Sequence, residues 1–416
     1  MKRNLRNTTH VLSLTGMLLF AITLSGCESD KGGEHLSCTL NDQLLKEAKK
    51  ALASEEPEFM AVFEGMVAKA ETFFDMPLYA VVNKDKTAPS GDKQDYVTLS
   101  PYWWPNPETE NGLPYVQRDG ERNPEVYDYP ERENSNRLSQ AVETLGVLYY
   151  LTEDEKYARR AAEFLREWFI NPDTRMNPNM VYAQIRPGID RIRGTGIIDA
   201  RRYLGSFNGA SLIRNSEHWS SEDEQSLKGW ASAFAYWLEN SPQGRMEKAS
   251  TNNHGVWYDV IVLNFHFYAG NHERALEVLE EMTTNRLFVQ QELDGSFPRE
   301  LARTISLHYS TFVMEGFAVA SEIGKKLDYD LWSPVSEDGQ SLRQAMEFLL
   351  PYYTKVEEWP HQQISLFNYN EAALLLYRAG LALSDSTYLN AAKSIGYELD
   401  SAVTSLLYYK INRSHI

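Results

Sequence analysis

Apolar residues recur at spacings of three and four along most of this chain, which is the pattern of helices that bury one face. Such stripes run through residues 138–149, 157–168, 227–237, 275–279, 342–350, 372–377 and 389–407. Two of them follow capping-box patterns, Thr-Glu-Asp-Glu at 152–155 and Ser-Glu-Asp-Glu at 221–224, which satisfy the free N–H groups of a first turn. The pattern predicts one helix after another.

Strands are scarce in the same pattern. Only residues 96–99 form a short run with β character, and no low-complexity linker divides the chain beyond its N-terminal segment. Antiparallel helix hairpins joined by loops of varied length favour an all-α fold, an (α/α) toroid or incomplete (α/α) barrel, with residues 41–416 as a single domain. A solenoid is the alternative, but no repeat of constant period is visible.

Two long irregular segments, 96–136 and 174–199, interrupt the helical pattern and are rich in aromatic, amide and arginine side chains. Loops on a helical scaffold commonly hold binding groups, and aromatic faces suit the C–H bonds of sugar rings. The alternative for Trp103 and Trp104 is that they plug the end of the helical barrel.

The first 27 residues have the pattern of a bacterial export signal. A positively charged start precedes an apolar stretch, residues 11–24, that is short for a membrane span. The stretch ends in Leu-Ser-Gly-Cys, which resembles a lipobox in which Cys27 is acylated, and residues 28–40 would then form a tether. We expect a lipoprotein of the periplasm, outer membrane or cell surface, attached to the membrane only through this anchor; an ordinary cleaved signal peptide is the alternative.

The formal net charge is −17, and no basic stripe dominates, so nucleic acid is not expected as a partner. Arginines nevertheless cluster in part of the chain, namely Arg186, Arg191, Arg193, Arg201 and Arg202, with Arg299 and Arg303 further on. Composition alone favours a surface role in salt bridges for them. A polyanionic ligand would instead require such residues in a locally positive cleft.

The chain has two cysteines, Cys27 and Cys38. If Cys27 carries lipid, no pair remains for a disulfide. Neither the cysteines nor the histidines have metal-ligand spacing, so no metal and no organic cofactor is predicted. The sequence carries no readable signal of oligomeric state.

One constellation carries recognisable chemistry. Asn-Asn-His-Gly at 252–255 is followed about fifty residues later by Arg303 and, after a short spacer, by His308 and Tyr309. An amide, an imidazole, a guanidinium and a phenol are the groups needed to break a polyuronate by β-elimination. That reaction neutralises a sugar carboxylate, removes the neighbouring C5 proton and protonates the departing O4.

Three ordered elements resemble the alginate lyase superfamily. They are the Asn-Asn-His-Gly and Glu-Leu-Ala-Arg…Tyr elements, the segment Tyr-Ala-Gln-Ile-Arg-Pro-Gly at 182–188, and Tyr-Val-Thr-Leu-Ser-Pro-Tyr-Trp-Trp-Pro at 96–105. The likeness spans roughly residues 80–380, and it implies an (α/α) toroid fold and a polysaccharide lyase without a cofactor. Its substrate would be an acidic polysaccharide, such as mannuronate-rich alginate or glucuronan.

The chain departs from that pattern at one point. In the best-known alginate lyases of this fold the spacer between arginine and tyrosine is one residue longer, and a histidine follows the tyrosine. Here His308 precedes Tyr309. The chain therefore resembles a sister family, and the departure leaves the particular uronate open.

The resemblance implies that Asn253 and Arg303 neutralise the carboxylate, that His254 is a base or proton relay, and that Tyr309 is the acid. In mannuronate and glucuronate the C5 hydrogen and O4 lie on one side of the ring, so Tyr309 can serve both steps. In guluronate they lie on opposite sides, so His254 would be the base. Further candidates for substrate contact are Tyr102, Trp103, Trp104, Asn134, Asn136, Arg137, Tyr182, Gln184, Arg193, Trp257, Arg299 and His308.

Two other functions compete with a lyase. A glycoside hydrolase on the same scaffold would need two carboxylates flanking the bond, one of them protonated. Asp199, Asp259 and Glu300 are available, but they form no recognisable pair in the sequence. A surface glycan-binding lipoprotein would use the aromatic residues alone and would have no need of the Asn-His and Arg-Tyr elements.

Overall fold

The computed structural model describes residues 35–398 and 402–411. The predicted signal peptide, its Cys27 and residues 28–34 of the predicted tether lie outside the described residues. The α-helices of the described part are, in chain order, α1 Asp42–Ala53, α2 Pro57–Phe74, α3 Glu131–Thr152, α4 Glu155–Leu165, α5 Leu204–Leu212, α6 Ser221–Asn240, α7 Pro242–Lys248, α8 Asn253–Ala269, α9 His272–Met282, α10 Phe288–Gln290, α11 Pro298–Leu301, α12 Ser306–Lys326, α13 Leu342–Tyr353, α14 Tyr369–Leu383, α15 Ser386–Ile395 and α16 Val403–Leu407.

Four short strands lie in the two irregular segments. The parallel pair is β1 Val97–Leu99 with β4 Tyr182–Ile185, and the antiparallel pair is β2 Trp103–Trp104 with β3 Val116–Gln117. The sequence predicted β1 alone, because strands of two to four residues inside loops have no periodic signal of their own. The β1–β4 pair ties the two irregular segments together, and the predicted all-α class is confirmed.

Helix α8 lies at the centre of the core. Fifteen of its seventeen residues are buried, so it is apolar on every side, as a helix surrounded by other helices must be. Helices α6, α9 and α12 pack directly against it. A helix enclosed in this way cannot shift without moving its neighbours, and its first turn is therefore a fixed point of the structure.

A buried ion pair holds the start of α8. Arg286 donates to Asp259 on α8 through Nε at 2.7 Å, and both side chains are almost inaccessible to solvent. The same guanidinium donates to the carbonyl oxygens of Lys248, the last residue of α7, at 2.7 Å and of Ser250, between α7 and α8, at 3.0 Å. A Cβ on Gly255 would lie 2.2 Å from the Ser250 oxygen, so only glycine allows the loop and the helix to approach this closely.

The stripe at 389–407 is divided between α15, which ends at Ile395, and α16, which begins at Val403. At the two capping patterns the helix boundaries differ from the sequence prediction by a residue or two. Asp154, not Thr152, caps α4 by accepting from the Lys156 N–H, because α3 continues through Thr152. The capping box of α6 is formed by Ser220 and Asp223, one residue before the predicted one. Both corrections have one cause: several adjacent Ser, Thr, Asp and Glu residues can cap, and packing selects among them.

The predicted tether is too long at its C-terminal end. Cys38 is buried in the core, and the backbone N–H of Thr39 donates to Asn208 Oδ1 at 2.8 Å. Lys326 Nζ donates to the carbonyl oxygens of Ser37 and Leu40. Residues 36–40 are therefore part of the folded domain. Within the described ranges, no helix is long and apolar enough to cross a membrane.

Two glycines allow α3 and α5 to cross closely. A Cβ on Gly209 would lie 2.2 Å from the Val142 carbonyl oxygen, and the backbone of Gly146 faces Gly209 across the contact. We expect Gly209→Ala to lower the free energy of unfolding by about 1–3 kcal/mol, because the helices must separate to admit the methyl group. Urea unfolding followed by circular dichroism measures this effect.

The matched control is Gly229→Ala on the exposed face of α6, where an added Cβ meets nothing within 4 Å. That change should raise stability by up to about 1 kcal/mol, since alanine favours a helix over glycine. Equal effects of the two substitutions would contradict the close helix crossing.

Candidate active site

A cleft of about 650 Å³ opens at the N-terminal ends of α8 and α12. Its walls come from the first turns of these helices, from the segment around β2 and β3, and from the segment between β4 and α5. It is lined by Ser100, Pro101, Tyr102, Trp103, Gln117, Asp119, Gly120, Arg122, Arg132, Gln184, Arg186, Thr195, Ile198, Asp199, Arg201, Arg202, Ser250, Asn252, Asn253, His254, Arg303, His308, Tyr309, Phe312, Glu315 and Glu371. The N-terminal end of a helix carries partial positive charge, so both helices favour an anionic ligand here.

His254 is fixed by a buried carboxylate. Asn252 caps α8 and accepts from the His254 N–H, which places the imidazole on the first turn. Its Nδ1 lies 2.5 Å from Oε1 of Glu247, a residue of α7 that is only 1% exposed. Burial lowers the pKa of His254, but Glu247 outweighs this effect and holds the pKa above its ordinary value. A bond from Nδ1 to Glu247 leaves Nε2 as the nitrogen available to a ligand.

Asn253 is held by a second buried carboxylate. Its backbone N–H donates to Glu300 Oε1 at 2.5 Å and its Nδ2 donates to Glu300 Oε2 at 2.7 Å. Burial raises the pKa of Glu300 despite these bonds. Within the described residues the amide oxygen of Asn253 has no hydrogen-bond partner. An amide nitrogen carries two hydrogens, so one N–H remains for another acceptor.

Arg303 and Tyr309 form a stacked pair. The guanidinium carbon of Arg303 lies 3.6 Å from the centre of the Tyr309 ring. Arg303 also donates to Asp119 through Nη2 at 2.6 Å and Nε at 3.1 Å, and Nη1 remains free of that ion pair. Burial opposes the charge on Asp119, but Arg303 keeps the pKa of its carboxyl below the ordinary value.

Tyr309 is nearly buried, and this burial raises the pKa of its phenol far above the ordinary value. Its hydroxyl donates to the Tyr102 hydroxyl at 3.4 Å. The phenol is therefore protonated at neutral pH and can release a proton to a strongly basic leaving group. The cation of Arg303 acts in the opposite direction and stabilises the phenolate that such a transfer leaves behind.

Asp199 organises the floor of the cleft. It accepts hydrogen bonds from Thr98, Arg132, Gln184 and Arg202 at 3.0 to 3.2 Å. Burial disfavours its charge, yet the neighbouring arginines lower its pKa to about 2. Asp199 is therefore permanently ionised. Gln184, which donates to it, has a left-handed backbone at φ 54°, a strained conformation that is common at functional sites.

All four predicted catalytic residues line this one cleft. Of the predicted substrate contacts, Tyr102, Trp103, Gln184 and His308 also line it. The guanidinium carbon of Arg186 lies 4.2 Å from the Trp103 ring centre, and both residues line the cleft.

The other predicted contacts lie elsewhere. Asn134 and Arg137 line a smaller neighbouring cavity, and Tyr182 and Arg193 line a third one, beyond Arg186. The remaining four, Trp104, Asn136, Trp257 and Arg299, line none of these three cavities.

These placements correct the sequence prediction. Trp257 is a core residue whose Nε1 donates to the Phe312 carbonyl oxygen at 3.1 Å. Trp104 Nε1 is bound to the Glu121 carbonyl oxygen, and Arg299 is exposed outside the cleft. Residue type alone predicted sugar contact for all three, and none of them lines the cleft.

Sequence reasoning missed the positioning role of three acids. Glu247 and Glu300 position the two residues of the Asn-His element, and Asp119 holds Arg303 from a distant loop. Their partners lie 7, 47 and 184 residues away along the chain, so spacing gives no signal. The arginine cluster was informative: contrary to the surface role that composition favoured, Arg186, Arg201, Arg202 and Arg303 line the cleft.

The carboxylates considered for a hydrolase are all committed to other partners. Asp199 is ionised among arginines, Asp259 is paired with Arg286 inside the core, and Glu300 is bonded to Asn253. Inverting hydrolysis needs one free acid and one free base across the scissile bond, and these three residues do not provide them.

Among the described residues, no group of three or more His, Cys, Asp or Glu side chains is arranged to hold a metal ion. The cleft offers instead an imidazole, a phenol and several guanidinium groups. On a helical scaffold, these are the groups expected of an enzyme that cleaves acidic polysaccharides by elimination.

Comparison with known proteins agrees with that class. The sequence profile of the alginate lyase family matches residues 80–359. An alginate lyase from Bacteroides ovatus has 34% sequence identity and a TM-score of 0.85, covering 90% of this chain and 98% of its own. The chain therefore belongs to the alginate lyase family and is a polysaccharide lyase. No protein with a curated function matches the sequence.

More distant structures share the fold. Alginate lyase A1-III from Sphingomonas species A1 matches with 15% identity and a TM-score of 0.53, over 82% of this chain and 93% of its own. A histidine-to-alanine variant of alginate lyase A1-III, in complex with a tetrasaccharide, matches with 16% identity and a TM-score of 0.58, over 89% and 94%. These similarities confirm the predicted (α/α) toroid.

The Glu247 carboxylate accounts for the raised pKa of His254, so Glu247→Gln should lower that pKa. Burial and the nearby Arg303 would then dominate, and both disfavour the charged ring. In the native protein the pair stabilises the fold below the ordinary histidine pKa of 6.5, and this contribution is lost as pH rises through the raised value. NMR titration of the His254 ring measures the shift, and the limb of the pH–rate profile that His254 governs should move to lower pH with it.

Glu239→Gln is the matched control, because Glu239 bonds His266 Nε2 at 2.9 Å on the far part of α8. It should leave the His254 titration unchanged. An unshifted His254 pKa in Glu247→Gln would show that the carboxylate does not set the charge of the ring.

Proposed function

We propose that this protein cleaves 1,4-linked polyuronates, alginate above all, by β-elimination that leaves a C4=C5 double bond. One observation carries the proposal. His254 and Tyr309 lie on the first turns of two helices that pack together, and both line a single arginine-rich cleft. The alginate lyases among the solved structures support alginate as the polymer.

The cleft supplies the charge that elimination requires. The C5 proton of a uronate is weakly acidic, so its removal needs stabilisation of the enolate-like charge that develops on the carboxylate. Preorganised donors contribute a few kcal/mol each to such stabilisation. Nη1 of Arg303 and the positive ends of α8 and α12 provide it here, although the whole chain carries a net charge of −17. Asn253 lines the same cleft but is buried, so its second N–H must turn toward the sugar carboxylate to contribute.

Tyr309 protonates the departing O4. Burial keeps its hydroxyl protonated until the leaving group demands the proton. Arg303 then stabilises the phenolate from the face of the ring at 3.6 Å. Tyr309 is therefore neutral at rest and carries charge only during turnover, when Arg303 stabilises it.

The stereochemistry of the sugar determines the base. In mannuronate, and in the glucuronate of glucuronan, the C5 hydrogen and O4 share one side of the ring, so Tyr309 can serve both steps. The neutral phenol first gives its own proton to His254. The phenolate, which Arg303 stabilises, then takes the C5 proton and passes it to O4. In guluronate the two lie on opposite sides, so Nε2 of His254 takes the C5 proton while Tyr309 protonates O4. The bond to Glu247 orients His254 for that task in the way that a carboxylate orients a catalytic histidine.

Purified protein should raise the ultraviolet absorbance of the C4=C5 double bond when incubated with polymannuronate, polyguluronate or glucuronan. Tyr309→Phe should lower kcat at least about 1,000-fold on each polymer that is cleaved, because the proton donor is lost. Circular dichroism should show that the variant is folded. New reducing ends without the chromophore would indicate a hydrolase, and binding without either product would indicate a glycan-binding protein.

His254→Gln distinguishes the two routes. On polyguluronate it should abolish cleavage, because His254 is the base proposed for that side of the ring. On polymannuronate it should lower kcat less, by about 10- to 100-fold, because Tyr309 still serves both steps. Initial rates on homopolymers give the comparison. Equal losses on both polymers would contradict the assignment of the base by stereochemistry.

A further inference from the structure

Arg201 faces the cleft without a partner for its charge. Its guanidinium carbon lies 5.0 Å from the ring centre of Phe312 and 5.6 Å from that of Trp257. Within the described part of the chain, no carboxylate forms a salt bridge with it; Glu315 and Asp199 act on its charge only from a longer distance. Burial, with Arg202 nearby, lowers the pKa of Arg201 to about 10, so the residue is still a cation at neutral pH.

The surroundings hold this cation in place. Phe312 belongs to α12 and Trp257 to α8, and their rings stack at 5.0 Å. The guanidinium lies against this aromatic pair, which stabilises its charge through cation–π attraction and leaves its N–H edges for a ligand. A planar fork of donors matches the two oxygens of a carboxylate. The site is therefore built before any substrate arrives.

The aromatic ring that Arg201 contacts indicates which sugar of the polymer it can reach. Phe312 follows Tyr309 by three residues on α12, which is about 4.5 Å along the helix axis, and the two ring centres lie 6.5 Å apart. Arg201 lies against Phe312, whereas Arg303, which the proposed function assigns to the reacting carboxylate, lies against Tyr309. Each ring of a polyuronate carries one carboxylate, so a carboxylate at Arg201 belongs to a ring next to the one that reacts at Tyr309.

We propose that Arg201 binds the carboxylate of the uronate adjacent to the one that undergoes elimination. This inference rests on the proposed function and adds a second carboxylate site to the cleft. The competing explanation is internal charge balance, since Glu315 lines the cleft one turn further along α12. Glu315 lies beyond salt-bridge distance of Arg201, next to Glu371, which itself bonds His308 Nδ1 at 3.1 Å.

The two explanations predict different kinetics for Arg201→Gln. A site for a neighbouring sugar contributes to binding and not to the chemical step, so KM should rise about 10- to 100-fold while kcat changes less than about threefold. Arg201→Lys should recover part of the loss. A kcat that falls 100-fold would place Arg201 at the reacting sugar, and unchanged KM would leave it without a substrate role; either result overturns the proposal.

Glu315→Gln is the second variant, measured at pH 8, above the raised pKa of about 7 that burial and Glu371 give this carboxyl. Removing its negative charge should lower KM about two- to fivefold, because the polyanion is no longer repelled near Arg201. Charge balance predicts instead that Glu315→Gln weakens the protein without improving KM, and that result would overturn the proposal.

Arg159→Gln on the exposed face of α4 removes the same charge far from the cleft and should leave KM unchanged. Thermal unfolding of each variant separates lost binding from lost structure. If only the Arg201 proposal is wrong, the wild-type protein will cleave polyuronate and the Arg201→Gln variant will have the same KM and kcat. A wild-type protein with no cleavage would overturn the proposed function itself.

Discussion

The position of the first turn of α8 is the constraint on which the cleft depends. Arg286 holds it from inside the core, through Asp259 on the helix and two carbonyl oxygens of the preceding segment. Because α8 is buried on every side, its direction is set by packing, and its N-terminal end must emerge where α12 also begins. His254 and Tyr309 meet for that reason.

Three acids, two of them buried, then position the side chains of the site. Glu247 raises the pKa of His254 and fixes its ring, Glu300 fixes Asn253, and Asp119 holds Arg303 against Tyr309. These carboxylates hold their partners in place, and their cost in desolvation is offset by the charge or the amide each one contacts. A polymer of negative charge can bind an acidic protein because arginines such as Arg201 and Arg186 line this cleft.

The sequence predicted the helices well and the side-chain directions poorly. Helical periodicity is a local property, and the stripes at 138–149, 227–237 and 342–350 all became helices, with boundaries displaced only where several residues could cap. The aromatic residues predicted the cleft less well. Trp103 lines the cleft, while Nε1 of its neighbour Trp104 donates to the Glu121 carbonyl oxygen. Alternation along a two-residue strand decides between them, and no local pattern reveals that strand.

By itself the sequence determined the all-α class, the family resemblance and the four chemical groups of the Asn-His and Arg-Tyr elements, because those follow from periodicity and from short ordered motifs. The tertiary structure alone decided which arginines line the cleft and which carboxylates position other residues. It also decided that residue 38 belongs to the core. Each of these depends on contacts between residues far apart in the chain, such as Asp119 with Arg303. Packing creates such contacts, and linear spacing does not encode them.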